Sequence, residues 1–570
     1  MVEHRIDGMT YTSLTYDCVY VSLSVLLLAL IHRWWATTQA GGRRPPSPMS
    51  FSIVGNLFAI PPGLEHIAYM KLGKQLNSDI ISLKLFGYDF IVLNSFRAAA
   101  DMLDKRSSVY SDRLNTPMVQ DPTLLDWSSN SALLRYGDLW RSHRRMMNNW
   151  LNARAVIQFH PIQEQHIQPL LRRLACIVDD PHPFEKIKDS LFTNTASSML
   201  QLAYGYTLQG DDDLVFRGLR QSSEHYSGGN VYKLPCQCVP SFVLCSALAS
   251  WRQLEKDRVQ VEAIKGAGSI RTVRMDKSSD CTYETSVASG TAEPSIWVRF
   301  YKARTSHLQE DEKERNLKEV AQAIVTGGTE TVKVLSIIEV QKLTGMKSAQ
   351  TSTALVAFVA AMVLNPDVQL KAQKELDTVL GPTSLPTMSD RERLPYMRKL
   401  IQEVLRWQPV APTGVQLFII FKCHKIISHE WLHISAIPHA CWRDDNYEGY
   451  NIRKGTVVIG NVWAITRDEK IYKDPEAFNP DRFQDPDVPH APAFGWGRRK
   501  CPGVYFAEAS LFITIASLLA TFTFSKKKGP DGREIIPKIE NISNAIVTEL
   551  KPFDFELKLR SLDHGQLISE

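Results

Sequence analysis

A single cysteine near the end of the chain stands in a setting that favours a thiolate. The stretch "FGWGRRKCPG" (residues 494–503) places Cys501 after three cations and between Gly497 and Gly503. Glycines allow tight turns that aim backbone N–H groups at a sulfur atom, and nearby cations lower the pKa of a thiol. The stretch therefore predicts a fixed, shielded sulfur anion beside a cation that can hold an acid.

Three roles can be compared for such a cysteine. A catalytic nucleophile needs a histidine base, and none lies within the loop. A buried structural role is the commonest one for a lone cysteine, but that role needs neither the glycines nor the cations. A thiolate beside a cation that binds carboxylates suits haem, with iron for the sulfur and propionates for an arginine. Such a thiolate pushes electron density onto iron and favours O–O cleavage.

The same ten residues resemble the haem-binding loop of the cytochrome P-450 family. The family pattern Phe-x-x-Gly-x-Arg-x-Cys-x-Gly is matched at Phe494, Gly497, Arg499, Cys501 and Gly503. The resemblance implies that the protein binds haem b, with Cys501 as the axial ligand of the iron and Arg499 at a propionate.

Other motifs of that family follow in the expected order. "EVLR" supplies Glu403 and Arg406, and "FNPDRF" supplies Arg482. The resemblance implies a buried network of these three residues, whereas "EVLR" alone would also fit an ordinary surface ion pair. "WRSHRR" supplies Trp140 and Arg144, which by the same resemblance meet a haem propionate.

A glycine pair in a predicted core helix precedes a candidate proton relay. "GGTET" spans residues 327–331, and each glycine in a helix interior costs about 1 kcal/mol relative to alanine. The resemblance implies that the missing side chains leave room for O2, and that Glu330 and Thr331 manage protons there. The alternative is a simple helix kink at the two glycines.

The spacing of apolar residues predicts one large domain over residues 51–560, mainly α with a small β part. A helix is predicted to begin at Asn365 and to stop at Gly381, and residues 456–465 are strand-like. The resemblance covers roughly residues 45–225 and 290–555 and implies the cytochrome P-450 fold. Two more helices are predicted from apolar sets at i, i+3, i+4 and i+7, namely Met397, Leu400, Ile401 and Val404, and Leu317, Val320, Ala321 and Ile324.

The N-terminal region predicts a membrane anchor. Residues 18–31 carry no charge, and cations and tryptophans follow them. A span needs about 20 apolar residues, so the run is marginal in length. A cleaved signal peptide is less consistent, since there is no cationic leader or cleavage motif. We expect residues 1–40 to anchor the chain once in the endoplasmic reticulum membrane, residues 41–50 to form a proline-rich hinge, and the body to face the cytosol.

Composition excludes some partners. The 570 residues carry a net charge of only +5 with no basic stripe, so nucleic acid is not expected as a partner. Nine irregularly spaced cysteines argue against a secreted disulfide scaffold. Zinc at Cys236, Cys238 and Cys245, or a metal at His429 and His433, is disfavoured because further ligands are missing from the pattern.

The resemblance also predicts what the protein works with. It looks like fungal microsomal members, of the kind used in secondary metabolism. The chain carries no Gly-rich dinucleotide fingerprint, so electrons are expected from NADPH through a separate NADPH-cytochrome reductase. The expected substrate is an apolar small molecule. The second hypothesis is a non-catalytic, membrane-anchored product of a damaged or misread monooxygenase gene.

Two stretches interrupt the family pattern as insertions would. Removing Val332 to Gln350 restores a Thr-Thr pair and a continuous apolar helix. Val332-Lys333 can be encoded as GTAAAG, like an intron donor, and Gln350 as CAG, like an acceptor, so we predict a translated intron here. A second insertion is predicted at about residues 416–437. The sequence of residues 228–289 is uncertain for the same reason.

Overall fold

A computed structural model describes most of the predicted domain. The main described ranges are 42–51, 54–85, 87–114, 130–208, 350–413, 438–541 and 548–561. Shorter described stretches are 24, 210, 213, 295–296, 316–317, 319–321, 323–324, 418–420, 433–435 and 568. Several predicted features lie outside these residues, namely the anchor except for residue 24, the stretch 228–289, Glu330 with Thr331, and residues 332–349.

Helices are the main type of regular structure in the described part of the chain. The α-helices are α1 (Glu65–Gln75), α2 (Phe96–Ala99), α3 (Asp138–Leu151), α4 (His160–Gln165), α5 (Ile167–Ala175), α6 (Phe184–Tyr204), α7 (Gln350–Leu364), α8 (Pro366–Leu380), α9 (Pro395–Trp407), α10 (Val462–Ile465) and α11 (Val504–Thr521). A π-helical segment, Ala100–Lys105, follows α2. Short 3-10 helices are Leu57–Ala59, Ala155–Phe159, Met388–Arg393, Pro480–Gln484 and Gly497–Arg499.

The strands are short and form one sheet and three pairs. They are β1 (Ile80–Leu85), β2 (Tyr88–Leu93), β3 (Asp112–Arg113), β4 (Phe418–Ile420), β5 (His433–Ser435), β6 (His439–Ala440), β7 (Asp445–Tyr447), β8 (Tyr450–Ile452), β9 (Val457–Gly460), β10 (Phe522–Ser525) and β11 (Glu556–Leu559). The sheet runs in the order β1-β2-β9-β6-β3, and β2 pairs with β9 in parallel. The predicted mainly α fold with a small β part is confirmed.

Apolar packing around α11 forms the largest core cluster. Helices α7, α9 and α11 contribute to this cluster together with β10 and β11. Among the described residues, α11 is the helix long and apolar enough to cross a membrane by itself, with a mean hydropathy of 1.6, and 78% of it is buried inside the protein. Helices α7 and α8 pass the same test only as a pair bent by 106°. The core, not a lipid environment, accounts for the apolarity of α11.

The local sequence patterns predicted two of these helices well. The four apolar residues from Met397 to Val404 lie buried along α9. Helix α8 begins after Asn365, and it ends at Gly381, whose φ of 80° stops the helix. Both predictions are confirmed because the signals are local: periodic burial in one case, and end-capping residues in the other.

The predicted strand at residues 456–465 is wrong in its second half. Strand β9 ends at Gly460, and the chain turns at once into α10. The side chain of Asn461 accepts a hydrogen bond from the Ala464 backbone N–H at 3.3 Å, which caps the new helix. An asparagine at this position ends the strand because its side chain satisfies a helix N-terminus.

The proline-rich stretch before the body is extended and attached to the sheet. The Pro46 carbonyl accepts the Ser82 N–H at 2.8 Å, and the Arg43 carbonyl accepts the Asn451 N–H at 2.8 Å. Within the described residues, these two hydrogen bonds therefore restrict bending of the chain from Arg43 onward. Helical structure is absent over residues 42–50, as expected for this composition.

The end of β9 supports the cysteine loop, and we expect Gly460→Ala to disturb it. A Cβ on Gly460 would lie 2.3 Å from the buried ring of Trp496, five residues before Cys501. Overpacking of this kind costs about 1–3 kcal/mol, which denaturant unfolding would measure. Gly137→Ala is the matched control, because the nearest heavy atom there is 4.0 Å away. Equal stability of the two variants would contradict this account.

Candidate active site

The loop around Cys501 is shaped by its glycines and held by backbone bonds. The Cys501 N–H donates to the Phe494 carbonyl at 2.8 Å. Gly497 has a φ of +52°, and a Cβ there would lie 2.2 Å from the Leu103 carbonyl oxygen. The Gly497 N–H also donates to Asp104. Gly497 is therefore required both by its backbone conformation and by its close approach to the π-helical segment.

The sulfur of Cys501 has opposing influences on its charge. Burial raises the pKa of its thiol, while the Gly503 N–H and the positive charges of Arg144 and Lys500 act to lower it. The balance is a raised pKa, so these protein groups alone do not hold the sulfur as an anion at neutral pH. A bound metal ion would supply the missing stabilisation, since metal binding displaces the thiol proton.

Arg499 of this loop is desolvated and incompletely hydrogen-bonded. Its Nε donates to the Ser111 carbonyl at 2.8 Å and its Nη2 to the Leu134 carbonyl at 2.6 Å. Its guanidinium carbon lies 4.4 Å from the ring centroid of Trp140, which α3 supplies. Its Nη1 is buried and has no hydrogen-bond partner among the described residues. Burial, with help from Arg113, lowers the pKa of Arg499 to about 8.

Two more arginines complete a group that we call the cation cluster: Arg113, Arg144 and Arg499. Burial lowers the pKa of Arg144, while the negative form of Cys501 would raise it. Burial lowers the pKa of Arg113 to about 10, partly offset by Asp112, and its Nη1 also lacks a partner within the described chain. Desolvated cations with open N–H groups are costly unless anions bind them.

Arg113 and His439 join this site although sequence reasoning did not single out either one for it. They are opposite each other on the antiparallel strands β3 and β6. His439 Nδ1 lies 2.6 Å from the Tyr110 carbonyl, which fixes that nitrogen as the donor. Burial and the charge of Arg113 lower the pKa of His439 to about 3. The ring is therefore neutral. No local signal marks this pair, because the strands that join them are far apart in the chain.

A second buried charge network joins α9 to a segment that precedes the cysteine loop. Glu403 and Arg406 have no exposed side-chain surface, and Arg406 donates to both carboxylate oxygens at 2.7 and 2.8 Å. Arg482 Nε lies 3.1 Å from each of the same oxygens. The remaining donors of Arg406 bond the carbonyls of Thr466, Pro475 and Ala477.

The candidate oxygen motif, residues 327–331, falls outside the part of the chain that the structure describes. Glu330 and Thr331 lie outside the described residues, so their role stays a prediction. The helix that leads toward them is described in part: Leu317, Val320, Ala321 and Ile324 are buried, as their spacing predicted. Phe494 is half-buried and packs against the largest core cluster.

Comparisons with known proteins agree with one another. A family model described as Cytochrome P-450 matches residues 45–333, 342–418 and 431–555. The chain is 33% identical to Cytochrome P-450 monooxygenase 208 of Postia placenta, over 98% of each protein. It is 31% identical to Cytochrome P-450 monooxygenase COX1 of Coprinopsis cinerea, over 92% of this chain and 93% of that one. A zebra fish cytochrome P-450 solved with abiraterone shares the fold, with a TM-score of 0.64 and 22% identity over 88% of this chain and 99% of that one.

The fold and the family match define a haem-thiolate monooxygenase. The chain belongs to the cytochrome P-450 family. The family implies a haem whose iron is bound by a thiolate, and the predicted cytochrome P-450 fold is confirmed.

Glu403→Ala should destabilise the protein strongly. Removing the carboxylate leaves two arginines without their buried counter-ion, and breaking a buried pair in this way costs about 3–5 kcal/mol. Glu392→Ala is the matched control. Glu392 pairs with Arg398 at 2.9 Å, but its side chain is 77% exposed, so the loss should be under about 1 kcal/mol. Denaturant unfolding of both variants measures the difference. Similar losses would mean that the buried network is not essential to stability.

Proposed function

We propose that the protein inserts one atom of O2 into an apolar small molecule, with electrons delivered from NADPH by a separate NADPH-cytochrome reductase. The observation that carries the proposal is the cation cluster beside Cys501, where the Nη1 atoms of Arg113 and Arg499 are buried and open. Paired carboxylates are the ligands such guanidinium groups bind best. A flat dianionic cofactor that also needs a sulfur ligand fits this set of donors.

The residues of the chain divide the work of binding haem. Cys501 would supply the sulfur to iron. Arg499 and Arg144 would hold the propionates together with Trp140, whose ring lies against Arg499. Arg113 would add a further donor from β3. Bound haem supplies the activation of O2, which the protein side chains alone lack.

The remaining roles are proton handling and the exclusion of water. Thr331 would hold a proton on its hydroxyl beside the iron, and the carboxylate of Glu330 would pass protons to it by way of water. The missing side chains of Gly327 and Gly328 would leave space for O2. The loop would close the site on the side of Cys501, because Gly497 packs closely against the π-helical segment.

The insertions at 332–350 and about 416–437 are part of the proposal. The family match leaves out residues 334–341 and 419–430, which lie within the two predicted insertions. Strands β4 and β5, at the two ends of the second stretch, pair with each other and sit in a separate two-stranded sheet. We infer that both stretches are translated introns. The chain as written would then be a poor haem enzyme, and the shortened chain a competent one.

Deleting residues 332–350 and 416–437 should therefore create or strongly increase haem binding. Nineteen extra residues directly after Thr331 would interrupt the helix that the family resemblance predicts there. The measurement is the carbon-monoxide difference spectrum of the reduced protein, made with both versions in parallel. An equally strong thiolate-type spectrum from the chain as written would overturn the inference. So would mature transcripts that keep these codons.

Cys501→Ala should abolish the thiolate-type carbon-monoxide spectrum in whichever version binds haem, because the sulfur ligand is lost. Cys441→Ala is the matched control. Cys441 is also buried, and its S–H group donates to the Arg443 carbonyl at 2.7 Å. That variant should lose about 1 kcal/mol of stability and keep the spectrum. A thiolate-type spectrum that persists in Cys501→Ala would refute the assignment of the ligand.

The proposed location is the endoplasmic reticulum membrane, with one N-terminal span and the body in the cytosol. The support is the uncharged run at residues 18–31 and the cations and tryptophans after it. The intact chain should sediment with membranes, resist extraction by salt and be released by detergent. A form that begins at Gly42 should bind membranes much less. Recovery of the intact chain in the soluble fraction without detergent would refute the proposal.

A further inference from the structure

A buried histidine lies between the two haem-directed residues of α3. His143 follows Trp140 by three positions and precedes Arg144, and it has no exposed surface. Its Nδ1 lies 2.8 Å from Ser131 Oγ. Its Nε2 lies 3.5 Å from Asn316 Oδ1 and 3.5 Å from Glu319 Oε2. The imidazole therefore joins three segments that are separate in the chain.

The partners of the ring define its protonation. Burial lowers the pKa of His143, so the ring is neutral near pH 7. The carboxylate of Glu319 accepts hydrogen bonds only, which places the proton on Nε2. Nδ1 then accepts a hydrogen bond from the Ser131 hydroxyl. Nε2 is thus a hydrogen-bond donor and Nδ1 an acceptor. A 180° rotation of the ring would break both hydrogen bonds.

His143 lies on the buried face of α3, together with Trp140, Met147 and Leu151. Met147 and Leu151 of α3 pack in one cluster with Val320, Ala321 and Phe506. Apolar contacts decide which face of α3 is buried, and hydrogen bonds add directional restraints within that face. The contacts of His143 are therefore directional restraints on the orientation of α3.

The arrangement of Ser131, His143 and Glu319 does not form a hydrolytic site. Ser131 is only 8% exposed and His143 is 0% exposed, so a substrate carbonyl has no path to the serine hydroxyl. The group holds structure in place and does not react.

We propose that His143 is a positioning residue for haem binding: it sets the rotation of α3 so that Trp140 and Arg144 meet the carboxylates of the cofactor, and it ties that helix to the one that leads toward Thr331. The inference rests on the proposed roles of Trp140 and Arg144. It explains why a polar ring is fully buried on this face of α3, where a leucine would be buried at lower cost.

The test compares His143→Leu with His143→Gln in the haem-loaded protein. Leucine fills the space without directional bonds. The Gln amide can accept from Ser131 or donate toward Asn316, and so restores part of the linkage. We measure the Soret band and electron paramagnetic resonance of the ferric protein, and the rate of haem transfer to apomyoglobin. His143→Leu should release haem about tenfold faster and shift the spectra, as expected from the loss of one or two hydrogen bonds, and His143→Gln should reverse most of both changes.

His166→Leu is the matched control for a purely structural effect. The His166 ring lies 2.8 Å from Gln201 Oε1 and links the junction of α4 and α5 to α6. This variant should lower the melting temperature and leave the spectra and the haem release rate unchanged. A spectral shift equal to that of His143→Leu would overturn the proposal, because general loosening would then explain both variants.

Ser131→Ala keeps the test decisive if His143→Leu does not fold. It removes one hydrogen bond and retains the imidazole, so haem release should still be faster, by about threefold to tenfold. Unchanged release in Ser131→Ala, or in a folded His143→Leu, would refute the positioning role. Failure of the proposed function would look different, because the unmodified haem-loaded protein would then lack the thiolate-type spectrum altogether.

Discussion

The buried carboxylate of Glu403 is the charge that holds α9 against the segment before the cysteine loop. It has no exposed surface, and Arg406 and Arg482 bond both of its oxygens. The Asn479 N–H is a third donor, to one of these oxygens, at 2.8 Å. Since a buried carboxylate without counter-ions is very unfavourable, helix α9 and the segment from Thr466 to Arg482 must stay in register. That segment precedes the cysteine loop, so the network holds the chain in place shortly before the loop begins.

The two groups of buried arginines differ in one informative respect. Every nitrogen of Arg406 has a partner inside the protein, including three backbone carbonyls. The Nη1 atoms of Arg499 and Arg113 have none within the described residues. A residue that stabilises the fold typically has all of its N–H donors hydrogen-bonded. Buried donors without a hydrogen-bond partner are typical of a binding site. The same type of side chain therefore has two functions, and the hydrogen-bond inventory separates them.

Local patterns in the sequence predicted the parts of the molecule that depend on local physics. The apolar spacing from Met397 to Val404 predicted α9 because burial on one face repeats with the helical period. The cysteine loop was recognisable because its glycines and cations are contiguous. Arg113 and His439 were missed because they meet only across strands that the fold brings together. The strand after Thr456 was predicted too long because the capping role of Asn461 outweighs the strand preference of the valines and isoleucine around it.

The cation cluster also couples the shape of the cysteine loop to occupancy of the site. Arg499 is carried by that loop, while Arg113 and Arg144 belong to the body of the domain. Three positive charges brought together repel one another, and the repulsion weakens each of the contacts that hold the loop down. An anionic ligand removes that penalty, so the ligand and the closed loop favour each other by the same amount of free energy. Because this coupling is reciprocal, the stability of the closed loop reports on ligand binding. A change that strengthens binding of the carboxylates must also slow hydrogen exchange of the backbone amides from Gly497 to Gly503.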